Sequence, residues 1–161
     1  MSRSICAALA MSVSLGFVGC KDLGNLSAED LRPATSAFQL QDTQGRVKTS
    51  FAATDTVVFV YALSNPRMTH REFYVGHGGP WAQFLMRHDT STVKDSYSGA
   101  VFPAVALRGT LASGETIETR WTLILGSSSL VSGSYTAVAI PHLSLDGSEV
   151  PPNLALVFTI R

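Results

Sequence analysis

The chain has 161 residues, room for one domain and too few for two of ordinary size. With 45% hydrophobic and 15% charged residues it carries enough apolar material for a packed core, which excludes a disordered chain. Twelve Lys and Arg balance twelve Asp and Glu, so no basic face for nucleic acid is expected, and two Cys exclude a disulfide framework or a Cys-rich zinc site.

The N-terminus reads MSRSICAALAMSVSLGFVGC. Arg3 is a short positive region, and Ile5 to Val18 is a mostly apolar run. That run is about 14 residues, whereas a membrane-spanning helix needs about 20. A short apolar run after a basic start is the pattern of a secretory signal peptide, which takes no part in the fold. It ends Phe17-Val18-Gly19-Cys20, which resembles the lipobox of bacterial lipoproteins, with Phe17 where Leu is usual. The resemblance implies cleavage after Gly19, diacylglycerol on the Cys20 sulfur and an acylated new N-terminus. The expected divisions are a signal peptide over 1–19, a lipidated Cys and tether over 20–36, and a domain over 37–161. The expected location is the cell envelope, with the domain outside the cytoplasm and held to a bacterial membrane by its lipid. One acyl chain binds a bilayer marginally, at about 0.8 kcal/mol per buried CH₂, so two or three chains on one residue make the durable anchor.

Residues 21–36 are polar, with Gly24, Asn25 and Pro33. They are expected to form a flexible tether, with at most one helical turn begun at Ser27-Ala-Glu-Asp30.

Beyond residue 34 the apolar period is two, not three-and-four. Phe38 and Leu40 open a strand, and Asp42-Thr-Gln-Gly45 turns it into Val47, Thr49 and Phe51. Val57 to Leu63 is apolar on both faces, the pattern of a central strand. Further strands are expected at Arg71–Val75, Trp81–His88, Ala104–Leu107 and Tyr135–Ile140. Ile117, Thr119, Trp121, Leu123 and Leu125 alternate with Glu118, Arg120, Thr122 and Ile124, a largely wet face, which places Trp121 on a core face. Leu154, Leu156, Phe158 and Ile160 line one face of the last strand. His88 to Gly99 is expected to be a long exposed loop. Gly133-Ser-Tyr135 suits a tyrosine corner, in which the phenol bonds back to upstream backbone. Strands of this length with turns about every ten residues predict an all-β sandwich of about 7–9 antiparallel strands.

A strand ending in Asn65-Pro66, then Gly114-Glu115 before the Trp121 strand, then Gly133-Ser-Tyr135-Thr136, resembles the BsuPI-type intracellular proteinase inhibitor domain over about residues 37–142. The resemblance implies an immunoglobulin-like sandwich. Ser113 and Ser132 stand where that family usually has Pro before each turn Gly.

No catalytic constellation is legible. His77-Gly-Gly79 lacks the Gly-x-Ser-x-Gly elbow that a hydrolase would need, and Gly126-Ser-Ser-Ser129 lacks the Lys of a phosphate loop. The four His have no zincin spacing, so no metal and no cofactor are expected. The expected function is a non-catalytic binding module on a lipid anchor; the alternative is an envelope protease inhibitor of the BsuPI type. Sandwich strands spend side chains on the core, so recognition is expected in connections. The segment Asn65 to Trp81 is the most distinctive, and Arg67, Arg71, His77 and Trp81 are its candidate binding residues. Gly78 and Gly79 are expected to supply the freedom for a sharp reversal.

Overall fold

The computed structural model describes residues 31–161. The expected signal peptide, Cys20 and the expected tether up to residue 30 lie outside the described residues. Eleven strands run in chain order: β1 Thr35–Gln41, β2 Ser50–Phe51, β3 Thr56–Ser64, β4 Arg71–Val75, β5 Ala82–His88, β6 Ser91–Asp95, β7 Leu107–Leu111, β8 Thr116–Ile124, β9 Gly133–Pro141, β10 Leu143–Leu145 and β11 Leu154–Ile160. A 3-10 turn, Leu125–Ser127, follows β8. No helix among the described residues is long and apolar enough to cross a membrane.

The strands form three sheets, ordered β1-β3-β8, β2-β11-β9-β5-β6 and β10-β4-β7. The first two face each other as a sandwich. Phe59 of β3 meets Phe84 of β5 at 6.0 Å between ring centroids, and Phe38 of β1 meets the same ring at 6.0 Å. Leu40, Phe51, Tyr61, Leu63, Met86, Tyr135, Phe158 and Ile160 complete the buried layer. The all-β sandwich agrees with the period-two pattern. Every pairing is antiparallel except β2 with β11, where Ser50 and Phe51 run alongside Thr159 and Ile160.

One expected loop and one expected strand are placed differently. The segment 88–99 is not a loop throughout. Its residues Ser91–Asp95 form β6, hairpinned onto β5 through a turn at Asp89, whose φ is +53°. Polar residues suit this edge strand because one of its faces stays wet. The strand expected at Ala104–Leu107 runs instead over Leu107–Leu111, since Arg108 and Thr110 alternate with Leu107, Gly109 and Leu111.

β8 alternates as expected. Ile117, Thr119, Trp121 and Leu123 turn inward, while Glu118 and Arg120 turn out and pair at 2.7 Å. Trp121 is half-buried rather than enclosed, with its ring 4.8 Å from Phe59. Tyr135 is 2% exposed and its hydroxyl donates to the Val131 carbonyl at 2.6 Å, which is the expected tyrosine corner.

The third sheet continues the first. Asn65 directly follows β3, and its backbone N–H donates to the Glu115 carbonyl while the Gly114 N–H donates back to the Asn65 carbonyl. Past this point the chain bends, and pairing resumes at Arg71 opposite Leu111. Asn65 is fully buried, and its Nδ2 lies within hydrogen-bond distance of the Thr69, Leu111 and Ala112 carbonyls at 2.8–3.1 Å. Its Oδ1 accepts the Arg67 N–H. A side chain with both donor and acceptor is what the bend requires, because the ladder here leaves carbonyls unmatched.

Candidate functional site: an open groove on the third sheet

The two arginines expected to bind a partner are engaged inside the molecule. Arg71 is 1% exposed on β4. Its Nε donates to Asp146 Oδ2 at 2.8 Å and its Nη2 to Glu149 Oε2 at 2.6 Å. Arg67 donates to the Arg32 carbonyl at 2.7 Å and lies 3.4 Å from Asp146 and 3.7 Å from Glu149. The expectation that Arg71 faces a partner is therefore corrected: the odd-numbered residues of β4 point inward, and the guanidinium is matched by two carboxylates from the β10–β11 connection. Asp146 sits at φ +49°, held there by the Glu72 N–H on its Oδ1 as well as by Arg71. Glu149 also accepts the Ala34 N–H at 2.8 Å. Burial raises the Glu149 carboxyl, but the Arg71 hydrogen bond, the Ala34 N–H and the two guanidinium charges outweigh it and hold the group below its ordinary range.

Chain order thus differs slightly from the expected tether. Residues 32 and 34 are already bonded to the domain, and β1 opens at Thr35.

His77 and Trp81 also spend their surfaces internally. The His77 ring stacks on Phe102 at 5.3 Å and lies 5.8 Å from both Tyr97 and His142. Its Nδ1 accepts the Gly79 N–H at 3.1 Å, so in the neutral ring Nε2 carries the proton. Burial first, and the neighbouring His77 second, push the His142 imidazole below its ordinary value. The Tyr97 hydroxyl donates to the Pro80 carbonyl, and burial with the Asp95 charge pushes this phenol up to about 12. Trp81 is half-buried against the core with its ring edge-on to Tyr61 at 5.5 Å. Gly78 and Gly79 are not among the residues at positive φ. They are needed for close approach instead: a Cβ on Gly79 would come within 2.4 Å of the Phe102 ring, and one on Gly78 within 3.3 Å of Pro103.

What remains free beside this segment is the outer face of the third sheet. Tyr74 pairs with Arg108 on one side and Ser144 on the other, and Glu72 pairs with Thr110. Alternation puts these five side chains on one face. They line an open groove of about 710 Å³ with Phe73, Gly109 and Gly147. Tyr74 is 41% exposed, and the Arg108 guanidinium carbon lies 5.8 Å from its ring centroid. The Phe73 ring crosses directly over Gly109, where a Cβ would stand 2.3 Å from Cζ. Among the described residues no three His, Cys, Asp or Glu converge as a metal-binding group.

Sequence reasoning missed this face because it placed the partner strand of β4 about four residues early. The available signal was the alternation of Glu72 and Tyr74 with Arg71, Phe73 and Val75.

No known protein family matches the chain, and no curated protein matches it. Among solved structures it is similar to a β-glucosidase from Erythrobacter marinus, at 12% identity and a TM-score of 0.40 over 80% of this chain. It is also similar to a β-glucosidase from Listeria innocua, at 9% identity and a TM-score of 0.38 over 78% of this chain. In both cases the match covers 16% of the other chain.

Proposed function

We propose that the chain is a lipid-anchored protein of the bacterial cell envelope whose β-sandwich acts as a non-catalytic binding module. The observation that supports a binding role is the groove on the β10-β4-β7 face, where an exposed aromatic ring stands among polar side chains that make no ion pair with a described residue, as in recognition sites for small ligands. The lipobox-like Phe17-Val18-Gly19-Cys20 supports the anchor. The bonds from Arg67 and Glu149 to residues 32 and 34 tie the start of the described chain to the domain.

Two experiments test this reading. Labelled palmitate should be incorporated by cells expressing the wild-type chain and not by Cys20→Ser; absence of label in the wild type overturns the anchor. Capture from solubilised envelope should depend on Tyr74 and Arg108, and capture that survives both alanine substitutions overturns the groove as the binding face. Inhibition across a panel of envelope proteases, independent of Tyr74, would replace the binding-module reading with the BsuPI-type one.

A further inference from the structure

Resting on the binding-module reading, we propose that the groove binds a neutral saccharide, with Tyr74 as the platform under a sugar ring and Glu72 and Arg108 gripping its hydroxyls. Three observations lead there. The first is charge. The groove face carries one carboxylate, Glu72, and one guanidinium, Arg108. Neither makes an ion pair with a described residue: Glu72 engages Asp146 only through its backbone N–H and carbonyl, and Arg108 only touches the Tyr74 ring. An anionic ligand would meet Glu72 and a cationic one Arg108, so the face favours a ligand that is neutral but rich in both donors and acceptors. A hydroxylated ring is such a ligand: vicinal hydroxyls donate to a carboxylate and accept from a guanidinium.

The second is the aromatic ring. Tyr74 is an exposed tyrosine in the middle of a strand, with Gly76 two residues on and Ser144 opposite, so only small side chains flank it on those sides. The C–H face of a pyranose packs on such a π surface, and the phenol offers a polar tip. The third is spacing. Neighbouring strands lie about 4.8 Å apart and alternate residues of one strand about 6.8 Å apart. Glu72 and Tyr74 are alternate residues, and Arg108 lies directly across from Tyr74. The polar groups thus bracket the ring at about the width of one sugar. Thr110 and Ser144 add hydroxyls on either side, and the groove of about 710 Å³ falls in the small-ligand range.

The test titrates the full-length chain, held in a detergent without a sugar headgroup, with neutral gluco-, galacto-, manno- and N-acetylglucosamine tetrasaccharides, and with inorganic phosphate and choline as charged probes. At least one tetrasaccharide should bind. Tyr74→Ala and Arg108→Ala should each weaken it at least about tenfold, Glu72→Gln should weaken it less, and Tyr74→Phe should retain most of it. Circular dichroism should show unchanged melting for these exposed substitutions. Binding of phosphate or choline without any tetrasaccharide overturns the proposal, as does saccharide binding that Tyr74→Ala leaves intact. If no probe binds but envelope capture still depends on Tyr74, the saccharide assignment falls and the binding module stands; if capture is also lost from the wild type, both fall.

Discussion

Arg71 Nη2 lies 2.6 Å from Glu149 Oε2, so a guanidinium with almost no exposed surface on β4 fixes a carboxylate 78 residues further along the chain. Removing one partner of a buried pair leaves a charge without its match, and that is the costly direction. Arg71→Ala should destabilise the domain by about 3 kcal/mol, the lower end for a buried pair because Asp146 and Glu149 keep some access to water. Arg67→Ala, whose pairs are longer and whose side chain is more exposed, should cost about 1 kcal/mol or less. Urea unfolding of the two variants measures this. Equal losses would mean that the cluster is not organised around Arg71.

Acidification should weaken the fold in two steps. The His142 imidazole is held below its ordinary 6.5, so the neutral ring is favoured in the folded state. Its contribution is complete above pH 6.5 and is lost as pH falls below that value. Glu149 is held below its ordinary 4.5, so its contribution is complete above pH 4.5 and lost further down. The unfolding midpoint measured from pH 7.5 to pH 4 should decline first below 6.5, and His142→Gln should flatten that first decline alone. A profile unchanged by His142→Gln sinks the assignment.

Phe59 is the centre of the aromatic core, touching Phe38, Phe84 and Trp121. Phe59→Ala should cost about 3–5 kcal/mol. Trp121→Ala should cost roughly half as much, because that ring is only partly enclosed. Glu118→Ala, outward on the same strand, should change little. Chemical denaturation of the three variants gives the ranking, and a larger loss for Trp121 than for Phe59 would contradict the packing described.

Gly79 and Phe102 are in direct conflict over one methyl group. Gly79→Ala should destabilise by about 1–3 kcal/mol through overpacking. Adding Phe102→Ala should relieve the clash, so the double variant should be more stable than the sum of the two losses implies. Strict additivity would show that the glycine is needed for some other reason.

Tyr135→Phe should cost about 1–2 kcal/mol by leaving the Val131 carbonyl without the phenol that bonds it at 2.6 Å. Thermal unfolding of the variant checks it, and an unchanged midpoint would show that the corner contributes nothing.

Much of the architecture was legible in the sequence because alternation is a local property. β4, β8, β9 and β11 all show it, β3 was legible instead as an apolar run on both faces, and the Gly133-Ser-Tyr135 turn gave its hydrogen bond away by spacing alone. The candidate site was less legible. Whether a strand arginine is a ligand grip or an ion-pair partner depends on what folds against it, and Asp146 and Glu149 are 75 and 78 residues from Arg71. The same distance hid the groove. Tyr74 becomes part of the groove face only when β7 and β10 arrive on either side, from 34 residues later for Arg108 and 70 for Ser144. Asn65 was visible only as half of an Asn-Pro pair; its three carbonyl partners come from the bend that it closes.

The bonds to Arg32 and Ala34 also determine how the domain carries mechanical load. A pull on the N-terminal segment reaches Arg67 and Glu149 before it reaches β1, so tension is taken up first by side chains rooted in two distant connections. Only when those release does force arrive at the seven-residue β1–β3 ladder. The clasp therefore acts as a strain relief at the end of a cable, shielding the first strand of the sandwich from tugging along the segment that precedes it.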